Sequence, residues 1–107
     1  MMIRVFVYGR LTTNGFYHQH YLKGQTLLGT GIINDYRSYI IGGLNGIVPR
    51  DGFQVNGEVY EVDEKALDRL DHLHNIGTVF NRSIIEIKLD NDEIMPAEVY
   101  ILIGNVA

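Results

Sequence analysis

The 107-residue sequence has no cysteine, no tryptophan and only two prolines. Without cysteine the chain can form neither a disulfide framework nor a thiol nucleophile. No apolar run approaches the roughly 20 residues that are needed to cross a bilayer. The N-terminus also lacks a basic segment followed by a long apolar one, which is the pattern of a signal peptide. These features predict a cytoplasmic protein with no membrane partner.

Positive charge is also scarce. Nine Lys and Arg residues stand against thirteen Asp and Glu, which gives a net charge of −4. The basic residues are scattered, whereas a nucleic-acid footprint needs them clustered, so we expect no nucleic-acid partner. A hydrophobic content of 46% and a charged content of 21% are ordinary for a globular protein. The length predicts a single domain over residues 1–107 with one core.

The stretch over residues 3–11 organises the rest of the chain. It begins as a run of β-branched and aromatic residues, which is typical of a strand buried on both faces. Gly9 ends the run, and Thr12, Thr13, Asn14 and Gly15 follow. A buried strand that ends in a glycine turn can point backbone N–H groups into a cleft where an anion docks. The alternative is that Gly9 only lets the chain turn and that the preceding tyrosine belongs to the core.

Helical patterns are few. Residues 63–73 form the clearest one, with Asp63 as an N-cap and a leucine-rich stripe that suits packing against a sheet. Residues 16–22 predict a second, shorter helix closed by a glycine. Between the helices lie short strand-like runs. The glycine-dense segment 42–46 is expected to be irregular and able to approach a ligand, and residues 50–52 are expected to form a turn.

The C-terminal third reads as a hairpin. Residues 79–89 and 95–103 alternate as strands, and Asp90, Asn91 and Asp92 form a turn between them. The total is about six strands and two helices that do not alternate regularly. This order predicts an α+β fold, built on a small mixed, mostly antiparallel β-barrel with about two helices.

At this point the ordered set of motifs resembles the gamma-glutamyl cyclotransferase-like family over nearly the whole chain. The segments that carry the resemblance are Val7-Tyr8-Gly9-Arg10-Leu11, Tyr21-Leu22, Leu28-Gly29, Tyr36 to Tyr39, Gly57 to Asp63, Leu70-Asp71-His72-Leu73, Phe80-Asn81-Arg82 and Ala97-Glu98-Val99-Tyr100. The resemblance implies a small mixed β-barrel with flanking helices and a pocket beside the Tyr-Gly-x-Leu loop.

The resemblance also implies a reaction. Enzymes of this family cyclise a gamma-glutamyl group: the α-amine attacks the γ-carbonyl, expels an amine and leaves 5-oxoproline. No cofactor is needed, because nucleophile and electrophile belong to one molecule. The partner implied is thus a small gamma-glutamyl or carboxylate-bearing ligand. The residues expected to contact it are Tyr8, Gly9, Arg10, Leu11, Gly43 and Phe80.

Three positions depart from the family pattern. Arg10 stands where the family usually has Ser or Thr, and it can either bind a carboxylate or fill the pocket. Phe80 replaces a tyrosine. His74 occupies the position of the family's catalytic Glu, with Asn75 in place of the following Gly, so His74 is the candidate proton shuttle. A register shifted by three residues puts Asp71 at the catalytic position instead.

Three hypotheses follow. The protein is an active cyclotransferase-like enzyme, a catalytically silent relative that binds a small carboxylate-bearing metabolite, or a structural or interaction module with a vestigial cleft. They differ in what occupies the cleft: a working base, a bound acid, or the protein's own side chains.

Overall fold

A closed five-stranded barrel forms the body of the protein in the computed structural model, which describes residues 2–104. Its elements, in chain order, are β1 (Ile3–Val7), a 3-10 turn (Gly9–Leu11), α1 (His18–Leu22), β2 (Thr26–Ile41), β3 (Leu44–Val62), α2 (Glu64–Leu73), β4 (Phe80–Leu89) and β5 (Ile94–Leu102). The strand order is β1-β3-β2-β4-β5. Strands β1 and β5 pair in parallel and close the barrel, and the other pairs are antiparallel. The predicted α+β fold with a mixed, mostly antiparallel barrel is confirmed.

The long hairpin of β2 and β3 differs from the expectation of several short strands. Only Gly42 and Gly43 form its turn, and β3 then runs without a break through the residues expected to turn at 50–52. The register shifts near Asp35, which has a φ of +65° and accepts a hydrogen bond from the Gly52 amide at 3.0 Å. A bulge absorbs the turn-forming residues here, and the ladder continues on both sides of it. The strand count is therefore five rather than six.

Strand β1 is buried on both faces, as its apolar sequence indicates. Because successive side chains of a strand point to opposite faces, its residues are divided between two clusters. Val5 and Val7 pack in the cluster that contains α2, and Phe6 and Tyr8 pack in the other. The end of β1 therefore lies between the two cores, and the turn at Gly9 follows directly.

The two ends of helix α2 and its buried face fix the position of His74 and Asn75, which follow it. The Asp63 carboxylate accepts a hydrogen bond from the Ala66 amide at 2.8 Å, and this bond lowers the pKa of Asp63. Ala66 and Leu70 are the buried residues of its apolar stripe. The helix ends at His74, and Asn75 follows with a φ of +46°. Asparagine tolerates this left-handed conformation better than most residues, which suits it to the position directly after the helix cap.

Candidate active site

The turn after β1 is held by a side chain of the neighbouring hairpin. Gly9 has a φ of +62°, and a Cβ at this position would lie 2.1 Å from Oδ1 of Asn45. That oxygen accepts a hydrogen bond from the Arg10 amide at 3.1 Å. The Thr13 amide donates to Oε1 of Glu58 at 2.7 Å. Two amides of the turn and the loop after it thus bond to acceptors within the chain, so an anion would have to displace the Asn45 side chain to reach the Arg10 amide.

Two of the expected ligand contacts lie in the core. Tyr8 is 5% exposed, and its hydroxyl donates to the backbone carbonyl of Tyr100 at 2.6 Å. Burial raises the pKa of Tyr8, which keeps the phenol protonated. Leu11 is 3% exposed. Both side chains are therefore core residues, whereas the family resemblance implied that they contact the ligand.

His74 is the one buried polar or charged side chain among residues 2–104, with 2% of its surface exposed. Its Nδ1 lies 2.7 Å from the Leu70 carbonyl, and a carbonyl only accepts, so Nδ1 carries the hydrogen. The imidazole stacks on the Tyr100 ring at 3.8 Å between centroids and 3° between planes. Phe80 meets it edge-on at 4.9 Å. The ring is fixed on three sides, and Nε2 remains as an acceptor.

The protonation state of His74 follows from this burial. Loss of solvation lowers the pKa of His74 to about 4, although the Leu70 carbonyl and the nearby Asp71 act in the opposite direction. The imidazole is therefore neutral at pH 7. Within the described part of the chain no fully buried side-chain nitrogen or oxygen lacks a hydrogen-bond partner. Nε2 has no partner there, so it must reach accessible surface.

His74 lines a cavity of about 270 Å³ between the hairpin turn, the start of α1 and the end of α2. Gly42, His74 and Asn75 line it together with six hydrophobic or aromatic side chains: Tyr17, Ile41, Leu44, Leu73, Val79 and Phe80. No carboxylate is among the lining residues. The cavity offers mostly apolar walls, and its polar side chains, those of His74, Asn75 and Tyr17, carry no carboxylate.

Arg10 approaches this cavity from the turn after β1. Its Nη1 donates to the Gly43 carbonyl at 2.7 Å, and Gly43 lies between the lining residues Gly42 and Leu44. In the part of the chain that the structure describes, no carboxylate lies within 4.0 Å of the guanidinium. A guanidinium has five N–H donors, so most remain available to an incoming carboxylate.

Gly9 opens on a different cavity, and this corrects the expected geometry. That second cavity, of about 390 Å³, is polar and includes Thr13, Asn56, Glu58 and Asp90 in its lining. The sequence predicted one hollow that Gly9 forms and His74 overlooks. The structure separates them: the Asn45 side chain packs against Gly9, and the Arg10 side chain reaches away from Gly9 to the Gly43 carbonyl at the hairpin turn.

Asp71 faces away from the cavity of His74. Its carboxylate accepts hydrogen bonds from Nη1 of Arg82 and, at 2.6 Å, from the hydroxyl of Tyr100. Nε of Arg82 also lies 3.8 Å from Glu98. Burial and the Asp71 carboxylate raise the pKa of Tyr100. Asp71 is thus a member of an ion-pair network that positions the ring stacked on His74, and it does not point at the site as a second base.

The sequence reasoning assigned no role to Tyr100. Its place was visible in the alternation of β5, where Val99 and Tyr100 fall on opposite faces. What the pattern does not show is which helix residue the ring meets, because that contact depends on how α2 docks on the barrel.

Among residues 2–104, no group of three or more His, Asp or Glu side chains is close enough to hold a metal ion. None of the helices found there has the length and apolar character that a membrane crossing requires.

Comparison with known proteins decides the family. A family model described as gamma-glutamyl cyclotransferase, AIG2-like, matches residues 5–106. The chain belongs to this family. It is 38% identical over 84 residues to a gamma-glutamylcyclotransferase family protein of Citrobacter rodentium, covering 78% of this chain and 72% of that protein. The corresponding Escherichia coli K12 protein is 37% identical over 84 residues, with 78% and 73% covered.

Solved structures agree with the gamma-glutamyl cyclotransferase fold. The solution structure of protein ytfP from Escherichia coli superposes with a TM-score of 0.69 at 32% identity and covers 97% of this chain and 86% of that one. The crystal structure of an AIG2-like protein from Mus musculus gives a TM-score of 0.85 at 24% identity, with 98% and 80% covered. A structure titled gamma-glutamyl cyclotransferase gives 0.80 at 12% identity, with 97% and 68% covered. The last two likenesses are evidence for the fold alone.

Proposed function

We propose that the protein is a cytoplasmic gamma-glutamyl cyclotransferase that converts a small gamma-glutamyl amine or peptide into 5-oxoproline and a free amine. The family membership supports this reaction class. The cavity beside His74 has room for a small molecule, which argues against a cleft filled by the protein's own side chains. The proposed reaction needs no cofactor, because holding the α-amine against the γ-carbonyl of the same molecule supplies most of what is required.

His74 is the proposed proton shuttle, and the geometry of its ring carries the proposal. Nδ1 is bonded to the Leu70 carbonyl, which leaves the lone pair of Nε2 free, and His74 lines the cavity. As the α-amine bonds to the γ-carbon, Nε2 takes a proton from the attacking nitrogen. It returns that proton to the leaving nitrogen as the γ-carbon–nitrogen bond breaks, so the imidazole ends neutral.

Arg10 is the proposed anchor for the α-carboxylate. It bonds to Gly43, which lies between two residues of the cavity lining, and the guanidinium fork matches a carboxylate in two parallel hydrogen bonds. Gly43 and Phe80 have supporting roles in the proposal. The Gly43 carbonyl orients the guanidinium, and the Phe80 ring fixes the imidazole from its edge.

A second function is favoured by one observation: the cavity lining holds no carboxylate. With a pKa of about 4, His74 is a weak base towards an ammonium group. A family member of this kind can bind a small acid without turning it over. The two functions share the binding site and differ in whether 5-oxoproline is released.

The test is a turnover assay on the purified protein with a panel of gamma-glutamyl amines and peptides, in which 5-oxoproline is measured by mass spectrometry. We expect release by the native protein and a loss of at least about tenfold in His74→Gln, because a positioned proton-transfer group contributes at least that much. His72→Gln is the matched control, since His72 is exposed on the same helix. If the native protein releases no 5-oxoproline but small acids still raise its melting temperature, the silent-binder function replaces the enzyme.

A further inference from the structure

We infer that the cavity beside His74 selects ligands with one carboxylate and no ammonium group. This inference rests on the proposed function, and it narrows the ligand class of the same site. It implies that a gamma-glutamyl compound binds in its free-amine form, and that a lactam acid such as 5-oxoproline binds better than the zwitterionic substrate at neutral pH.

The charges around the cavity carry the inference. The turn after β1 brings the Arg10 cation to Gly43, and the residue before α1 brings the Tyr17 hydroxyl. The hairpin brings backbone and aliphatic groups, and the segment after α2 brings the uncharged amide of Asn75. On α2, the Asp71 carboxylate is already bound by Arg82 and Tyr100. The structure therefore places a cation, Arg10, next to the hairpin turn that borders the cavity, and the lining residues described by the structure include no carboxylate to balance a positive charge.

An ammonium group is penalised twice in such a place. It loses hydration against apolar walls, and it brings a second cation into the neighbourhood of Arg10. Nε2 of His74 can accept a hydrogen from either an ammonium or a neutral N–H. The neutral donor makes the same hydrogen bond without the charge. A lactam N–H and a free amine are donors of this kind.

The inference has a kinetic consequence. The α-amino group of a gamma-glutamyl compound lies beside its own carboxylate, which holds the pKa of that amine above the value of about 8 for a peptide N-terminus. Its free form therefore grows roughly tenfold for each pH unit from 6 to 7, and we expect the apparent KM for a gamma-glutamyl substrate to fall about as steeply and to level off only above the pKa of the amine. Binding of 5-oxoproline should not change over the same range, since its lactam does not titrate there.

The direct test compares 5-oxoproline with L-proline, which also has a five-membered ring and a carboxylate but carries a ring ammonium at pH 7 in place of the neutral lactam. Titration calorimetry on the native protein should show 5-oxoproline binding at least about tenfold more tightly, as expected for a ligand that avoids one uncompensated charge. Neutral 2-pyrrolidone, which lacks the carboxylate, should bind more weakly than 5-oxoproline. Arg10→Gln should lose the preference for the acid, whereas Arg50→Gln, an exposed arginine on β3, should keep it.

Melting curves recorded beforehand separate misfolding from lost recognition. His74→Glu offers a second variant, because a carboxylate at the cavity should narrow or reverse the preference for 5-oxoproline over L-proline. The inference is overturned by any of three results. The first is equal affinity for 5-oxoproline and L-proline, and the second is unchanged 5-oxoproline binding in a folded Arg10→Gln. The third is no binding of 5-oxoproline at about 10-fold the concentration that saturates turnover. Selective binding without turnover supports it and removes only the enzyme proposal, so the two failures are distinguishable.

Discussion

The buried imidazole of His74 makes the free energy of unfolding depend on pH. The perturbation is a change of pH from 7.5 to 4. In the unfolded chain the pKa of a histidine is about 6.5, whereas in the folded protein burial lowers the pKa of His74 to about 4. Between these values the unfolded state binds more protons than the folded state. The free energy of unfolding therefore falls as the pH falls through this window, and the His74 contribution is fully present only above pH 6.5.

The magnitude follows from the size of the shift. A difference of about 2.5 pH units corresponds to roughly 3 kcal/mol at 1.36 kcal/mol per unit. Other groups also titrate between pH 7.5 and 4, so the prediction concerns a difference between two proteins. The native protein should lose about 3 kcal/mol more over this interval than His74→Gln, which has no imidazole at that position.

The assay is urea unfolding followed by circular dichroism at half-unit steps of pH, with ΔG extrapolated to water at each step. His72→Gln is the control, because the His72 imidazole is exposed and lies on α2, two residues before His74. Its stability curve should run parallel to that of the native protein. If the His74→Gln curve is also parallel to the native curve, folding does not lower the pKa of His74, and the reasoning from its burial is wrong.

Two stability predictions follow from the contacts around the site. Asp71→Asn should cost about 1.5–3 kcal/mol in urea unfolding, because it weakens charge-assisted bonds to its tyrosine and arginine partners; the exposed Asp68→Asn on the same helix should cost less than about 0.5 kcal/mol, and equal losses would refute the network. Gly9→Ala should lower the melting temperature more than Gly52→Ala, since both have positive φ but only the first meets a side chain. Truncating that side chain with Asn45→Ala should recover part of the loss, and no recovery would contradict the contact.

Local sequence patterns predict much of the fold. The period-two alternation of the strands, the Asp63 cap and the leucine stripe of α2 are each set by a few neighbouring residues, and the structure contains each of them. The continuous hairpin of β2 and β3 was not predicted, because the sequence around Gly52 is typical of a turn. The structure shows instead that the Gly52 amide donates a hydrogen bond to Asp35 on the opposite strand. A bulge is a property of two paired strands, so one strand's sequence does not reveal it.

The sequence by itself determined the family, the barrel class and the presence of an imidazole at position 74, because these depend on residue order and periodicity. Only the tertiary structure decided that the imidazole is neutral and that Asp71 faces an arginine, because burial and ion pairing depend on how α2 docks on the barrel. It also decided that Gly9 and His74 open on separate cavities. The physical reason is that a single side chain, Asn45, crosses 36 residues of sequence separation to pack on Gly9, and no local pattern encodes that distance.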